Sequence, residues 1–225
     1  MTTDSELRSY FKEWLDTSFT AGLIGADRRT STLDVMNHSL AALVRQINAR
    51  DRGVLRLGSK TLTVIRREGL DPDHGRFNLF EMRWSGRRRR PRLTCFVGHR
   101  FTRAISGALR FNLRHCLEPS NIALVWSGMD LNAAGFFDAI IRQIRACDFC
   151  IFDNRRAEQK PNVYIESGIA YALGKPFIFA DYRGNRIRIP SDLRHITTIP
   201  YDGYRDLTRR LYFQLPIFLR ASRLM

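Results

Sequence analysis

The stretch FCIFDNRRAEQKPNVYIESGIAYALGKPFIFAD, residues 149–181, reads as strand, helix, strand. Its first four residues form an unbroken apolar run that stops at Asp153. A run without polar alternation suits a strand buried on both faces. Residues 162–173 read as a helix closed by Gly174, because glycine readily takes the left-handed conformation that ends helices. Residues 176–180 form a second apolar run, stopped by Asp181. This order argues for parallel strands joined by a crossover helix.

The alternation continues in both directions. Upstream, residues 93–97 are a short apolar run ending in Gly98, and residues 102–117 are helical. Residues 121–126 are the next strand, ending at Ser127 and Gly128. Residues 131–146 are a helix with Phe136, Phe137, Ile140, Ile141 and Ile144 apolar. Downstream, residues 196–199 make a fifth strand and residues 204–220 a closing helix. The expected fold over residues 91–225 is therefore α/β and flavodoxin-like, a parallel sheet with helices on both faces and strand order 2-1-3-4-5. In such sheets, ligands bind beyond the C-terminal strand ends, where the strand order reverses.

Residues 1–90 read as a small α+β unit. Leu7, Phe11, Trp14, Leu15 and Phe19 predict a helix over 5–19. Leu33, Met36, Leu40, Leu43, Val44 and Ile47 predict a second over 32–49, with Ser31 or Thr32 as its N-cap. Strands are expected at 61–66 and 77–84, around the turn-rich GLDPDHG at 69–75. The run SGRRRRPR, residues 85–92, reads as a solvated linker and marks the boundary.

Among 225 residues, 44% are hydrophobic and 26% charged, enough for a real core. No apolar run reaches membrane-spanning length, so no membrane partner is expected. The N-terminus begins acidic and has no apolar signal core, so a cytoplasmic location is expected. The net charge is +15, yet only Lys12, Lys60, Lys160 and Lys175 are lysines, and the arginines spread along the whole chain. That dispersion favours general attraction of phosphates over a dedicated nucleic-acid surface. Cys147 and Cys150 have C-x-x-C spacing, but Cys95 and Cys116 do not form a second such pair. The pair also lies where a helix ends and a strand begins, the reverse of the redox arrangement. All four cysteines are expected to be buried apolar residues, with no metal bound.

In a parallel sheet the strand ends cluster on one edge. After the first strand come Gly98, His99, Arg100 and Phe101; after the second, Ser127, Gly128 and Asp130. After the third come Asp153, Asn154, Arg155 and Arg156, then the helix from Asn162 that carries Glu166. Ser127 and Gly128 precede a helix, where their backbone amides would hold a phosphate. Glu166 is the strongest candidate. With Asn162 as N-cap the third helical position is Ile165, and with Pro161 as the first helical residue it is Val163. Glu166 is a capping-box acid on neither count. It sits in an otherwise apolar segment, where a carboxylate needs a cleft or a partner. Gly168 beyond it would let another group approach closely.

Residues 153–176 resemble the segment shared by TIR-like domains and nucleoside 2-deoxyribosyltransferase-like proteins. In that group an aspartate ends the third strand, and a loop leads to a helix of the form N-V-x-x-E-x-G-x-A followed by G-K-P. Asp153, Pro161, Asn162, Val163, Glu166, Gly168, Ala170, Gly174, Lys175 and Pro176 match in order. The resemblance runs from about Leu93 to the C-terminus. It implies cleavage of an N-glycosidic bond in NAD or a related nucleotide, with the helix glutamate beside the ribose. Glu166 and Asp153 would be catalytic. Gly98, His99, Arg100, Phe101, Ser127, Gly128, Asp130 and Asn162 would bind the ligand. No cofactor would be held permanently; the nucleotide is substrate or ligand. The resemblance also implies a homo-oligomer that completes the site and, by analogy, a role in bacterial defence. The first strand segment, CFVGH, lacks the tyrosine of the deoxyribosyltransferases, and Val163, Tyr164 and Ile165 replace the tryptophan-cysteine context of many TIR hydrolases. The alternatives are a nucleotide-binding sensor without turnover and a deoxyribosyltransferase-like enzyme.

Overall fold

The computed structural model describes residues 1–20, 24–57, 59–85, 93–100, 102–117, 121–127, 135–156, 162–186 and 196–224. Helices α1 (Asp4–Thr20) and α2 (Ala26–Arg50) pack on an antiparallel sheet of β1 (Arg52–Leu57), β2 (Lys60–Asp71) and β3 (Gly75–Trp84). Leu7, Phe11 and Leu15 of α1 and Met36, Leu40 and Ile47 of α2 meet Leu62, Val64 and Phe80 of the sheet in one core.

Three features differ from the sequence expectation. Helix α2 starts at Ala26 behind an N-cap at Gly25, so Ser31 and Thr32 lie inside it. Its first turns are polar, and the apolar periodicity begins only at Leu33. Strand β1 is an element the sequence does not predict. Its inward residues are Gly53 and Leu55, while Val54 faces outward; a glycine inside and a valine outside erase the alternation signal. A Cβ on Gly53 would overlap the Leu43 side chain, so α2 packs directly against the β1 backbone. The hairpin of β2 and β3 also runs further than expected, pairing Asp71 with Gly75. The turn shrinks to residues 72–74, where Asp71 Oδ1 accepts the N–H groups of Asp73 and His74 and Gly75 takes φ 75°.

The second sheet contains β4 (Leu93–Gly98), β5 (Ile122–Trp126), β6 (Phe149–Asp153), β7 (Phe177–Tyr182) and β8 (Thr198–Tyr201). Its order is β5-β4-β6-β7-β8 with every pair parallel, which is 2-1-3-4-5 in chain order and flavodoxin-like. Helices α3 (Arg103–Leu117) and α6 (Tyr204–Ala221) cover one face, burying Val97, Phe149 and Ile151 against Leu109, Leu113, Leu207 and Leu211. Helices α4 (Phe136–Ala146) and α5 (Asn162–Ala172) cover the other, burying Phe96, Phe152 and Phe179 against Ile140, Ile144 and Val163.

The two sheets are joined through α6 and α3. Phe213 enters the N-terminal core, its ring 5.0 Å from that of Tyr10. Tyr212 Oη accepts the Met82 N–H at 2.8 Å, and Asn112 exchanges two hydrogen bonds with the Leu70 backbone. All four cysteines are buried free thiols. Burial pushes Cys147 up to about 11, and Cys116 and Cys150 up to about 12. No helix among the described residues is long and apolar enough to cross a membrane.

Candidate functional site

The C-terminal ends of β4, β5 and β6 meet the buried face of α5. Glu166 lies on that face, 2% exposed. Ser127, directly after β5, donates its hydroxyl to Glu166 Oε1. Glu166 Oε2 rests against Gly98 at the end of β4, and it has no hydrogen-bond partner among the described residues. A Cβ on Gly98 would overlap Oε2 and stand 2.6 Å from Phe152 Cδ1. Glycine is therefore required there for the carboxyl to occupy its place. Burial raises Glu166 from its usual 4.5 to about 7, against the opposing pull of the Ser127 hydrogen bond. A Ser127→Ala variant should move the Glu166 titration further alkaline. Following the carboxyl band by infrared difference spectroscopy between about pH 5 and 9 reads that shift directly, and an unmoved midpoint would remove Ser127 from the site.

Ser127 differs from its expected use. Its N–H donates to Val97 O at 3.1 Å, extending the sheet. The amide is spent on the strand edge, and the hydroxyl is the working group. Gly128, Asp130 and Phe101 lie outside the described residues. Asn162 begins α5 and is exposed. Gly168 is exposed too, and a Cβ there would meet no protein atom within 4 Å, so no described element of the fold uses its small size.

His99 turns to the other face of the sheet. Its Nε2 lies 3.0 Å from Ser106 Oγ on α3, and its ring meets Trp126 edge to face at 5.6 Å. Burial, helped by the positive charge of Arg110, pushes the imidazole down to about 4, so it is neutral at pH 7. Arg110 stacks its guanidinium on the Trp126 ring at 5.3 Å. Arg100 follows His99 and is half-buried.

Asp153 belongs to a second cluster. Alternate residues of a strand face opposite sides. Phe152 turns toward α5 and the Gly98 position, while Asp153 turns toward α6. Its Oδ1 accepts the Tyr201 hydroxyl and the Arg155 N–H, and its Oδ2 accepts the Tyr204 hydroxyl at 2.8 Å. Burial raises its pKa, with these hydrogen bonds opposing. Arg155, 1% exposed, lies between the rings of Tyr182 and Tyr204, 4.6 and 4.5 Å from their centroids. It pairs with Asp71 and Asp73 at the tip of the β2–β3 hairpin. The sequence puts Arg155 at a strand end without revealing its partners. The acids in DPDH, in an arginine-rich chain, are the one hint it offers.

The structure thus unites Gly98, Ser127 and Glu166, turns His99 to the opposite face of the sheet against α3, and joins Asp153 to the tyrosines of β8 and α6. Fold and site together define a flavodoxin-like α/β domain with a buried carboxyl where the strand order reverses. No family model and no curated protein matches the chain. Among solved structures it is similar to the CMP N-glycosidase BcmB of Clostridium botulinum, at 18% identity and a TM-score of 0.41, over 52% of this chain and 96% of that one.

Proposed function

We propose that this chain cleaves the N-glycosidic bond of NAD or a related nucleotide, with Glu166 as the carboxylate at the anomeric carbon. The observation that carries the reading is the Glu166 cradle. One oxygen is fixed by Ser127, the other lies over Gly98 without a partner, and both sit at the strand-order reversal. Breaking a ribosyl C–N bond builds positive charge at the anomeric carbon, which a nearby carboxylate stabilises or attacks. With NAD the bonding pair returns to a cationic nicotinamide nitrogen, so the base leaves neutral without a proton donor. Water then adds to the anomeric carbon and gives its proton to Glu166. The carboxylate form is needed, so turnover should rise with pH through about 7. Asp153 serves by holding the end of β6 and the start of the loop toward α5, through Tyr201 and Tyr204.

The test is release of free base, followed by chromatography, from NAD and from nucleoside monophosphates at low and high protein concentration. Glu166→Gln should lower release by at least about 10²-fold while ligand still binds. Binding without release by the parent chain would instead establish a nucleotide sensor, and release that survives Glu166→Gln would remove Glu166 from the chemistry.

A further inference from the structure

Four buried residues from different parts of the chain close a polar ring beside β6. Asp71, at the tip of the β2–β3 hairpin, accepts the Tyr204 N–H at the start of α6. The Tyr204 hydroxyl donates to Asp153 Oδ2 at 2.8 Å, and Asp153 Oδ1 accepts the Arg155 N–H at 3.2 Å. Arg155 closes the ring with a guanidinium N–H to Asp71 Oδ2 at 3.3 Å. Each member is at most 1% exposed. Stability is a weak reason for such a ring, because well-packed apolar residues of similar volume often serve as well as a buried ion pair or better. What a fully satisfied polar network supplies is a fixed position for the groups it joins.

The ring fixes the end of β6. Phe152 pairs with Gly98 across the β4–β6 ladder, and Glu166 Oε2 rests against Gly98. Asp153 follows Phe152 directly, and α5, which carries Glu166, is the next helix of the chain. Asn154 ties the same turn to β7, accepting the Tyr182 N–H and donating to Asp181, each at 2.7 Å. The turn is thus held on one side by its own sheet and on the other by the hairpin of the N-terminal unit. Asp73 of that hairpin adds a second carboxylate to Arg155, and the Tyr182 and Tyr204 rings enclose the guanidinium. Arg155 therefore has little freedom to turn away from its partners.

We propose that the β2–β3 hairpin of the N-terminal unit is a working part of the Glu166 site, with Asp71 and Arg155 as its positioning residues. Neither touches the reacting atoms. They act through β6: the ring holds Asp153 and with it Phe152, which bounds the Gly98 cradle. Loss of the ring leaves the turn tied to β7 alone, so the strand end shifts without unfolding. The cradle then loosens, and water reaches the Glu166 carboxyl. The effect on turnover rests on the reading of Glu166 as the carboxylate at the anomeric carbon; the coupling of the hairpin to that carboxyl does not.

The experiment uses the full chain with Arg155→Met, Asp71→Asn and, as a control for lowered stability alone, Leu40→Ala in the N-terminal core, away from the ring. Thermal unfolding sets a temperature at which every variant is folded. Infrared difference spectroscopy then follows the Glu166 carboxyl band, and chromatography follows release of base. In Arg155→Met the carboxyl midpoint should fall from about 7 toward the usual 4.5, because water entering the cradle removes the effect of burial. Removal of a cation alone would move it the other way. kcat should fall by about 10²-fold, the cost of a misplacement on the order of 1 Å, with KM changed far less. Asp71→Asn keeps the shape and loses the charge, so both effects should appear in reduced form, and Arg155→Lys should recover part of what Arg155→Met loses. Leu40→Ala should change neither readout. Should Arg155→Met not fold, Asp71→Asn carries the same two readouts. An unmoved or raised midpoint in the ring variants would overturn the proposal, whatever the rate does. Equal effects from Leu40→Ala would do the same, since they would reduce the ring to plain stability. The two readings fail separately. A midpoint that falls in a chain that releases no base keeps the coupling and removes the glycosidase. Base release that needs Glu166 but ignores the ring variants, with the midpoint unmoved, keeps the glycosidase and removes the coupling.

Discussion

Asp71→Ala is expected to lower the unfolding free energy by about 2–4 kcal/mol, toward the lower end of the cost of breaking a buried ion pair, because Asp73 still pairs with Arg155. Arg155 is 1% exposed and enclosed by two tyrosine rings, so it keeps Asp73 but loses its second buried acid. Asp71 also accepts the Tyr204 N–H at the start of α6 and fixes the hairpin turn through Asp73 and His74. Urea unfolding at pH 7 gives the number directly. A double variant, Asp71→Ala with Arg155→Met, should lose less than the sum of the single changes, because no stranded charge remains. Equal, additive losses would show that the pair is not coupled. Acid gives an independent reading. Burial alone would raise the Asp71 pKa, but the Tyr204 and Asp73 amides and Arg155 outweigh it and hold the value below the usual 3.8. Its contribution is therefore full above pH 3.8 and is lost as pH falls through the lower folded value. The Asp71→Ala variant should lack that part of the acid-induced loss.

This cluster also marks where sequence reading runs out. Four strands of the parallel sheet were legible because each is a short apolar run, as in FCIF at 149–152, which is buried throughout; the fifth, expected at 196–199, lies instead at Thr198–Tyr201, where TIPY offers no such run. Helix α5 and Glu166 were legible for a related reason: one carboxyl among apolar neighbours stands out. Asp71 and Arg155, 84 positions apart, leave no local trace, since a turn acid and a strand-end arginine are each ordinary alone. The direction of Asp153 was hidden too. Strand periodicity predicts that it faces away from Phe152, but only the tertiary structure shows which face holds Glu166. Ser127 illustrates a third limit. A serine before a helix suggests an anion-binding amide, whereas pairing with Val97 consumes the amide and turns the hydroxyl toward α5.

The pH dependence of Glu166 runs opposite to that of Asp71. Its folded value of about 7 lies above the usual 4.5, so its contribution to stability is full below pH 4.5 and is lost as pH rises through about 7. The ionised form that the proposed reaction requires is the form the cradle disfavours. Gly98→Ala tests that cradle. The added methyl overlaps Glu166 Oε2 and crowds the Phe152 ring. Phe152 sits in a central strand packed on both sides, so the glutamate side chain is the part that must yield. Moving it breaks the Ser127 hydrogen bond and shifts the carboxyl by a fraction of its own size. A displacement on the order of 1 Å costs about 10²-fold in rate where geometry governs the reaction. The variant should therefore lose about 10²-fold in kcat for base release, with stability lowered by only about 1–3 kcal/mol from overpacking. Combined with Glu166→Gln, it should cost nothing further in rate, because both changes remove the same contribution. Rates that multiply in the double variant would show Gly98 acting through something other than Glu166, and a Gly98→Ala chain with full activity would mean that the carboxyl works from another position.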